Sequence, residues 1–241
     1  MDRFFSTERL PFDLFGPVHL ATIGVLLCVG VCVIRAGLVA GERGRRRLRV
    51  AMGATILFFL LSRHVWKAAT GLWSVQTDIP LHLCNLMAWV TIYGLWTRHP
   101  RVLGLMYFFG IAGAVQAVLT PNTEFGVVHT TFFESLGSHG TVVIAGVWAA
   151  AVEGYRPTAR DPWIALGLLN LYAAVVYPIN RLLGSNYLYV IEKPLGPTIL
   201  DFFPAWPWYI LLLQPVAVGL FLALWLPFRR HGTGGAGAGA G

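Results

Sequence analysis

The chain has 241 residues, of which 56% are hydrophobic and only 12% are charged, and its mean hydropathy is +0.64. This composition excludes an ordinary soluble globular domain. The net charge of +7 does not indicate a nucleic-acid partner, because most basic residues flank apolar runs, as membrane topology requires. No hydrophilic block is large enough for a second domain. The sequence therefore predicts one polytopic membrane domain over residues 1–230 and a disordered Gly/Ala-rich tail at 231–241.

Seven segments are long enough to cross a bilayer, which takes about 20 helical residues. They are predicted at 17–40, 48–70, 79–97, 101–120, 127–152, 162–182 and 206–228. Arginines are concentrated in alternate loops, with five in the loop 41–49, whereas Arg3, Arg9 and Lys193 fall on the opposite side. The positive-inside rule then gives an outside N-terminus and an inside C-terminus. The predicted fold class is an all-α bundle of about seven transmembrane helices.

Polar residues gather in one layer of this bundle. The second and fifth helices reach bilayer length only if they include ionisable residues, and at 1.5 Å per residue these fall in the outer half of the membrane. Burying such groups is costly, so by default they indicate a functional site. The predicted binding residues of this layer are His82, Asn85, Arg63, His64, Lys67, Asn180, Arg181, Asn186, Tyr187 and Lys193.

The stretch "PLHLCNLM" (80–87) adds Cys84 to the layer. His82 and Cys84 are two residues apart, about 200° around a helix, so they point to nearly opposite faces. A base for the thiol should therefore come from another helix, and the candidates are His64, His129 and His139. Each of these residues also has a structural interpretation: a buried cysteine often only packs, and a buried histidine often caps a helix or forms a hydrogen bond.

Arg63 and Lys67 lie four residues apart on one helix face and carry the same charge, so they repel each other. One interpretation is that an anion lies between them. The alternative is that both side chains extend to the outer interface. The two interpretations stay open at the level of the sequence.

Four motifs resemble a known family. They are "LHLCN" (81–85), "HTTFFESLGSHG" (129–140), "NRLLGSNYLYVIEKP" (180–194) and "WPWY" (206–209). In this order they resemble the YwaF family of bacterial membrane proteins and the related eukaryotic transmembrane protein 164, over roughly residues 15–228. The eukaryotic relative is regarded as a cysteine-dependent phospholipid acyltransferase. The resemblance implies a nucleophile at Cys84 and a catalytic histidine at His129 or His139, of which His139 is preferred. It also implies that the protein lies in a bacterial plasma membrane.

The predicted function is a membrane-embedded lipid acyltransferase or acyl hydrolase of the outer leaflet, without a metal or cofactor. His139 takes the proton of Cys84, and the thiolate attacks an acyl ester of a phospholipid. Asn85 or Asn186 can donate to the oxyanion. The headgroup phosphate can be held by cations of the layer, namely Arg63, Lys67, Arg181 or Lys193.

Two alternatives remain. In the first, the chain is a zinc-dependent membrane hydrolase whose metal is held by N and S donors, with His64, His82, His129, His139 and Cys84 as the candidates. In the second, the polar layer is the pocket of a transporter-like protein that binds a lipid or small molecule without catalysis. The second alternative is weakened because no internal repeat is evident.

Overall fold

The computed structural model describes residues 4–7, 12–121, 126, 129–194 and 199–231. In these ranges the chain forms seven helices and no strand. The helices are α1 (Pro17–Val39), α2 (Glu42–Ala69), α3 (Leu83–Thr97), α4 (Pro100–Leu119), α5 (Thr130–Ala151), α6 (Asp161–Leu183) and α7 (Trp208–Trp225). Within α4, the segment Met106–Gly110 is π-helical. Arg3, Arg9 and the predicted tail beyond residue 231 lie outside the described residues.

Five of the seven helices, α1, α2, α4, α6 and α7, are long and apolar enough to cross a membrane. Helix α3 has only 15 residues, and α5 is long enough but less apolar. The predicted all-helical, multi-pass membrane character is therefore confirmed. The number of crossings and their direction stay predictions, because length and apolarity alone support five.

Two helices begin four or more residues away from their predicted starts. Helix α2 begins at Glu42, so the arginines that the sequence assigned to a loop lie on its first two turns. The buried Arg49 donates to Glu42, on these added turns, at 2.7 Å and to Glu153 at 2.9 Å, and these ion pairs stabilise the added turns. Helix α3 begins at Leu83, four residues after the predicted start, because its N-cap residue His82 has an extended backbone.

Helix α5 is the centre of the bundle. It contacts α1, α2, α3 and α4, and its Phe132 and Trp148 are completely buried. Small residues allow the close approach, since a Cβ atom on Gly137 would collide with the Phe59 ring of α2. Helices in membranes commonly associate through such small residues. Because most of the α5 surface faces other helices, it does not need the apolar surface of the outer helices.

The π-helical segment of α4 packs against α5. Gly146 permits this contact, because a Cβ atom at that position would lie 2.8 Å from the carbonyl oxygen of Met106. Tyr107, Phe108 and Phe109 of the segment are buried. Beyond it, the second half of α4 brings Gly113 towards the start of α3.

Candidate functional site

Cys84 lies in the first turn of α3, two residues after the N-cap residue His82. Its thiol is half-buried, and the sulfur lies 3.9 Å from the carbonyl oxygen of Gly113 on α4. A Cβ atom on Gly113 would lie 4.0 Å from the same sulfur, so the missing side chain leaves space beside the thiol. The first four N–H groups of a helix have no partner within it and form the positive end of the helix dipole. The dipole of α3 therefore favours a negative charge at Cys84, whereas the burial of the thiol opposes it.

His139 is half-buried on α5, and the environment of its ring fixes its tautomer. The Nδ1 atom lies 2.6 Å from the carbonyl oxygen of Ser135, one turn earlier. A carbonyl oxygen only accepts, so Nδ1 carries the proton and the neutral ring has its lone pair on Nε2. Arg63 on α2 is within electrostatic range of the same ring. His139 therefore has one nitrogen that is suited to accept a proton.

His129 has a different environment. It is completely buried and is the N-cap residue of α5, where Nδ1 accepts from the backbone N–H of Thr131 at 3.2 Å. Its Nε2 donates to the carbonyl oxygen of Ser6 at 2.8 Å, and its ring packs edge-on against Trp66 at 4.9 Å. Both nitrogens thus stabilise the start of the helix. This arrangement favours His139 over His129 as a base.

The cations of α2 face a carboxylate of the chain itself. Lys67 Nζ lies 2.6 Å from Asp78 Oδ1, and Arg63 Nη2 lies 3.8 Å from the same atom. Asp78 is buried and also accepts from the Thr77 hydroxyl at 2.7 Å and the Ser74 N–H at 3.0 Å. Although burial opposes ionisation, the hydrogen bonds from Lys67, Thr77 and Ser74 hold the pKa of Asp78 below its ordinary value.

Asp78 was not among the site residues that the sequence suggested. It is the only acidic residue between α2 and α3, and the repulsion between Arg63 and Lys67 was the signal that could have identified it. Glu134 on α5 was also not assigned to the site. It is buried and lies within electrostatic range of both cations.

Tyr187 joins the segment before α3 to the end of α6. Its hydroxyl donates to the carbonyl oxygen of Val75 at 2.6 Å and accepts from the N–H of Ile79 at 3.0 Å. The Asn180 side chain binds the backbone of Tyr187 through both its amide nitrogen and its oxygen, each at 2.8 Å. The ring of His82 packs 5.1 Å from that of Tyr187, and burial lowers the pKa of His82 to about 4. The neutral histidine, the tyrosine and the asparagine form one side of the site.

The remaining predicted binding residues have separate environments. His64 accepts from the Trp73 indole at 3.1 Å, and Arg181 is exposed at the end of α6. The Asn186 side chain donates to the carbonyl oxygen of Glu192 at 2.8 Å, which stabilises its own loop.

Lys193 donates to the carbonyl oxygen of Phe203 at 2.7 Å and so also holds a loop. Asn85, in contrast to Lys193, has a half-buried side chain that forms no hydrogen bond within the part of the chain that the structure describes.

The predicted zinc ligands are dispersed. Among the residues that the structure describes, no three His, Cys, Asp or Glu side chains form a group that could hold a metal ion. His64 is engaged by Trp73 and His129 by Ser6. The zinc-hydrolase alternative therefore has no ligand set in the described ranges.

The fold and its apolar helices define a multi-pass helical membrane protein. The chain belongs to the TMEM164 family, whose sequence model matches residues 14–225. It is also similar to an uncharacterized protein of Treponema pallidum (strain Nichols), with 28% identity over 228 residues that cover 92% of each chain. No solved structure matches it. The predicted relationship to transmembrane protein 164 is confirmed, whereas the YwaF name and acyl transfer stay predictions.

Proposed function

We propose that this protein is a lipid acyltransferase or acyl hydrolase in which Cys84 is the nucleophile and His139 is the general base. The observation that supports this most is the hydrogen bond from His139 Nδ1 to the Ser135 carbonyl, which leaves Nε2 as the basic nitrogen. The carbonyl takes the orienting role that a carboxylate has in other nucleophile–histidine systems. Family membership supports the same assignment through the resemblance of the motifs around Cys84 and His139.

The reaction has two halves. His139 Nε2 takes the proton from the Cys84 thiol, and the thiolate attacks the carbonyl carbon of an acyl ester. The ester C–O bond breaks as the leaving alcohol takes the proton from His139, and the acyl group stays on sulfur as a thioester. A lipid hydroxyl or water then loses its proton to His139 and attacks the thioester. The C–S bond breaks, the acyl group leaves as a new ester or as a free fatty acid, and the Cys84 thiolate takes the proton back from His139.

The start of α3 can stabilise the negative charges that form in both halves of the reaction, which are the Cys84 thiolate and the oxyanion. A thiol in apolar surroundings is inert unless its thiolate is favoured by a cation, a histidine or a helix N-terminus, and Cys84 lies in such a first turn. The oxyanion can accept from first-turn N–H groups and from the Asn85 side chain. Asn186, the other predicted donor, already donates its side-chain N–H to the carbonyl oxygen of Glu192, so Asn85 is the preferred side-chain donor.

Arg63 is the main residue that binds the phosphate of the lipid headgroup. Lys67 is paired closely with Asp78, whereas Arg63 is 3.8 Å from that carboxylate and its side chain is 29% exposed. A guanidinium can bind two phosphate oxygens at once. Arg63 is also in electrostatic range of His82 and His139, so a phosphate on Arg63 would position a lipid near the proposed general base.

The membrane arrangement is part of the same proposal. All seven helices cross the membrane, with the N-terminus outside and the C-terminus inside, and the membrane is the bacterial plasma membrane. Helix α5 is enclosed by α1, α2, α3 and α4, so its lower apolarity is compatible with crossing. This direction puts the arginines of α2's first turns inside and Cys84 towards the outer leaflet, where phospholipid is available as an acyl donor.

Acyl-thioester capture tests the mechanism. The purified chain in lipid nanodiscs is incubated with a fluorescent phospholipid, and hydroxylamine-sensitive labelling is measured on a gel. We expect Cys84→Ala to abolish labelling and His139→Gln to slow it by about 10²–10⁴-fold, the usual contribution of a general base. Cys28→Ala is the matched control, since Cys28 is exposed on α1. Equal labelling of Cys84→Ala and the parent chain would disprove the mechanism.

A further inference from the structure

A cavity of about 490 Å³ lies where α5 and α7 end, and none of its lining residues belongs to the site around Cys84. Its volume is within the range of small-molecule sites. The lining residues come from α4, from the end of α5 and the loop after it, and from the end of α7 and the short 3₁₀ helix Leu226–His231 that follows it. They are Tyr107, Ile111, Val147, Ala150, Ala151, Arg156, Leu224, Pro227 and Phe228.

The walls of the cavity are apolar for a structural reason. Ala150 and Ala151 end α5 with small side chains, which leave space between α5 and α7. Tyr107 of the π-helical segment donates its hydroxyl proton to the carbonyl oxygen of Leu224 at 2.8 Å, so its polar end is satisfied and its ring faces the cavity. Segments of π-helix are frequent at functional sites. An alkyl chain therefore fits these walls better than a polar ligand does.

Arg156 adds a fixed positive charge. Its Nη1 donates to the carbonyl oxygens of Ala150 at 2.5 Å and Tyr155 at 3.0 Å, and its guanidinium carbon lies 5.6 Å from the centre of the Phe228 ring. Within the ranges that the structure describes, no carboxylate is within ion-pair distance of it. A guanidinium has five N–H donors, so donors remain for an anionic ligand.

The cavity is also accessible from the lipid-facing surface. Val147 on its wall is 38% exposed, and Leu226, next to Pro227, is 50% exposed. Exposed apolar side chains on a membrane bundle face acyl chains. Other arginines nearby, such as Arg160, give this end of the bundle the positive charge that attracts anionic headgroups.

We infer that this cavity is a binding site for an anionic phospholipid, with an acyl chain between α5 and α7 and the headgroup phosphate on Arg156. The charge complementarity favours a lipid of net negative charge, such as phosphatidylglycerol, over zwitterionic phosphatidylcholine. This site does not depend on acyl transfer at Cys84, because it shares no residue with that site.

Native mass spectrometry of the full chain measures the retained lipid. We expect phosphatidylglycerol to be retained in preference to phosphatidylcholine. Its affinity should fall about tenfold in Arg156→Gln, which corresponds to about 1.4 kcal/mol. Ala151→Trp, which fills the cavity from an exposed position, should also lose the lipid. The matched control Arg160→Gln, in the same loop but not lining the cavity, should retain it. Equal retention by Arg156→Gln and Arg160→Gln would overturn the proposal.

Two measurements on the parent chain keep the test independent of folding defects. A phosphatidylglycerol with a photoreactive acyl chain should crosslink to the peptides that contain Val147 and Leu224, and crosslinks confined to other peptides would overturn the proposal. Inorganic phosphate at millimolar concentration should not displace the lipid. Complete displacement would identify a simple phosphate site and contradict the acyl-chain part of the inference.

Discussion

Replacing Asp78 by asparagine is expected to loosen the segment that leads into α3. The Asp78 side chain is fully buried, and its Oδ1 lies 2.6 Å from Lys67 Nζ. The same carboxylate accepts from the Thr77 hydroxyl and the Ser74 N–H. The Asp78 carboxylate therefore joins α2 to the turn before α3. Asparagine has nearly the same size but no charge. The substitution therefore tests the ion pair with little change in packing.

The expected cost follows from the burial of the pair. Removing one partner of a buried ion pair typically costs about 3–5 kcal/mol, because the other charge stays without compensation. The Lys67 side chain is 18% exposed and can turn partly towards solvent. We therefore expect a loss of unfolding free energy at the lower end of this range, about 3 kcal/mol. For a chain of this size the melting temperature should fall by roughly 6–12 °C.

A double-mutant cycle measures the interaction itself. The free energy of unfolding in mixed micelles is determined for Asp78→Asn, Lys67→Met and the double variant. The loss of unfolding free energy in the double variant should be about 1–3 kcal/mol smaller than the sum of the losses in the two single variants, as expected for groups in direct contact. Glu192→Gln is the control for the loss of one negative charge, because Glu192 is exposed and its carboxylate forms no ion pair among the described residues.

The pH dependence provides a second test. Burial opposes ionisation of Asp78, but its hydrogen bonds prevail and its pKa lies below the ordinary value. A carboxyl group whose pKa is lower in the folded state stabilises the fold above the unfolded pKa, about 4, and this contribution is lost as pH falls through the folded pKa. The stability gap between the parent chain and Asp78→Asn should thus be constant from pH 8 to about 5 and shrink below about 4. A gap that widens in acid, or a coupling energy below about 0.5 kcal/mol, would refute the reasoning.

Two glycine substitutions test the packing around the site. Gly137→Ala should destabilise the chain by about 1–3 kcal/mol, because a Cβ atom there collides with the Phe59 ring. A melting temperature equal to that of Gly167→Ala, at a position with open space, would contradict this. Gly113→Leu should slow maleimide alkylation of Cys84 about tenfold, or about 1.4 kcal/mol, in a chain whose other two cysteines are serine. An unchanged rate, as expected for Gly167→Leu, would show that the space beside Gly113 is not the access route.

The helical membrane fold could be predicted because apolarity along the chain is a strong signal. The signal is clear for five helices, α1, α2, α4, α6 and α7, and weak for α3 and α5. Helix α5 is the most enclosed helix, and glycines such as Gly137 and Gly146 adapt it to its neighbours. Apolarity measures the preference for lipid, so it underestimates a helix that is buried in protein.

The site was predictable only in outline. The spacing of Arg63 and Lys67 left open whether an anion lies between them or both side chains extend to the interface, and the structure has Asp78 beside both cations. The sequence could not identify it, since Asp78 belongs to a loop whose path depends on Tyr187 and Asn180 at the end of α6. Contacts between residues about one hundred positions apart leave no periodic pattern in the sequence.

The two histidines of α5 show how a small error in a helix boundary changes a chemical role. The predicted start at residue 127 put both inside the helix. The helix begins at Thr130, so His129 is its N-cap residue and uses both ring nitrogens to hold the helix start. His139 remains inside the helix, where the carbonyl one turn earlier binds only Nδ1. Protonating His129 would break the hydrogen bond that its Nδ1 accepts, whereas His139 can accept a proton on Nε2 with its Nδ1 bond intact.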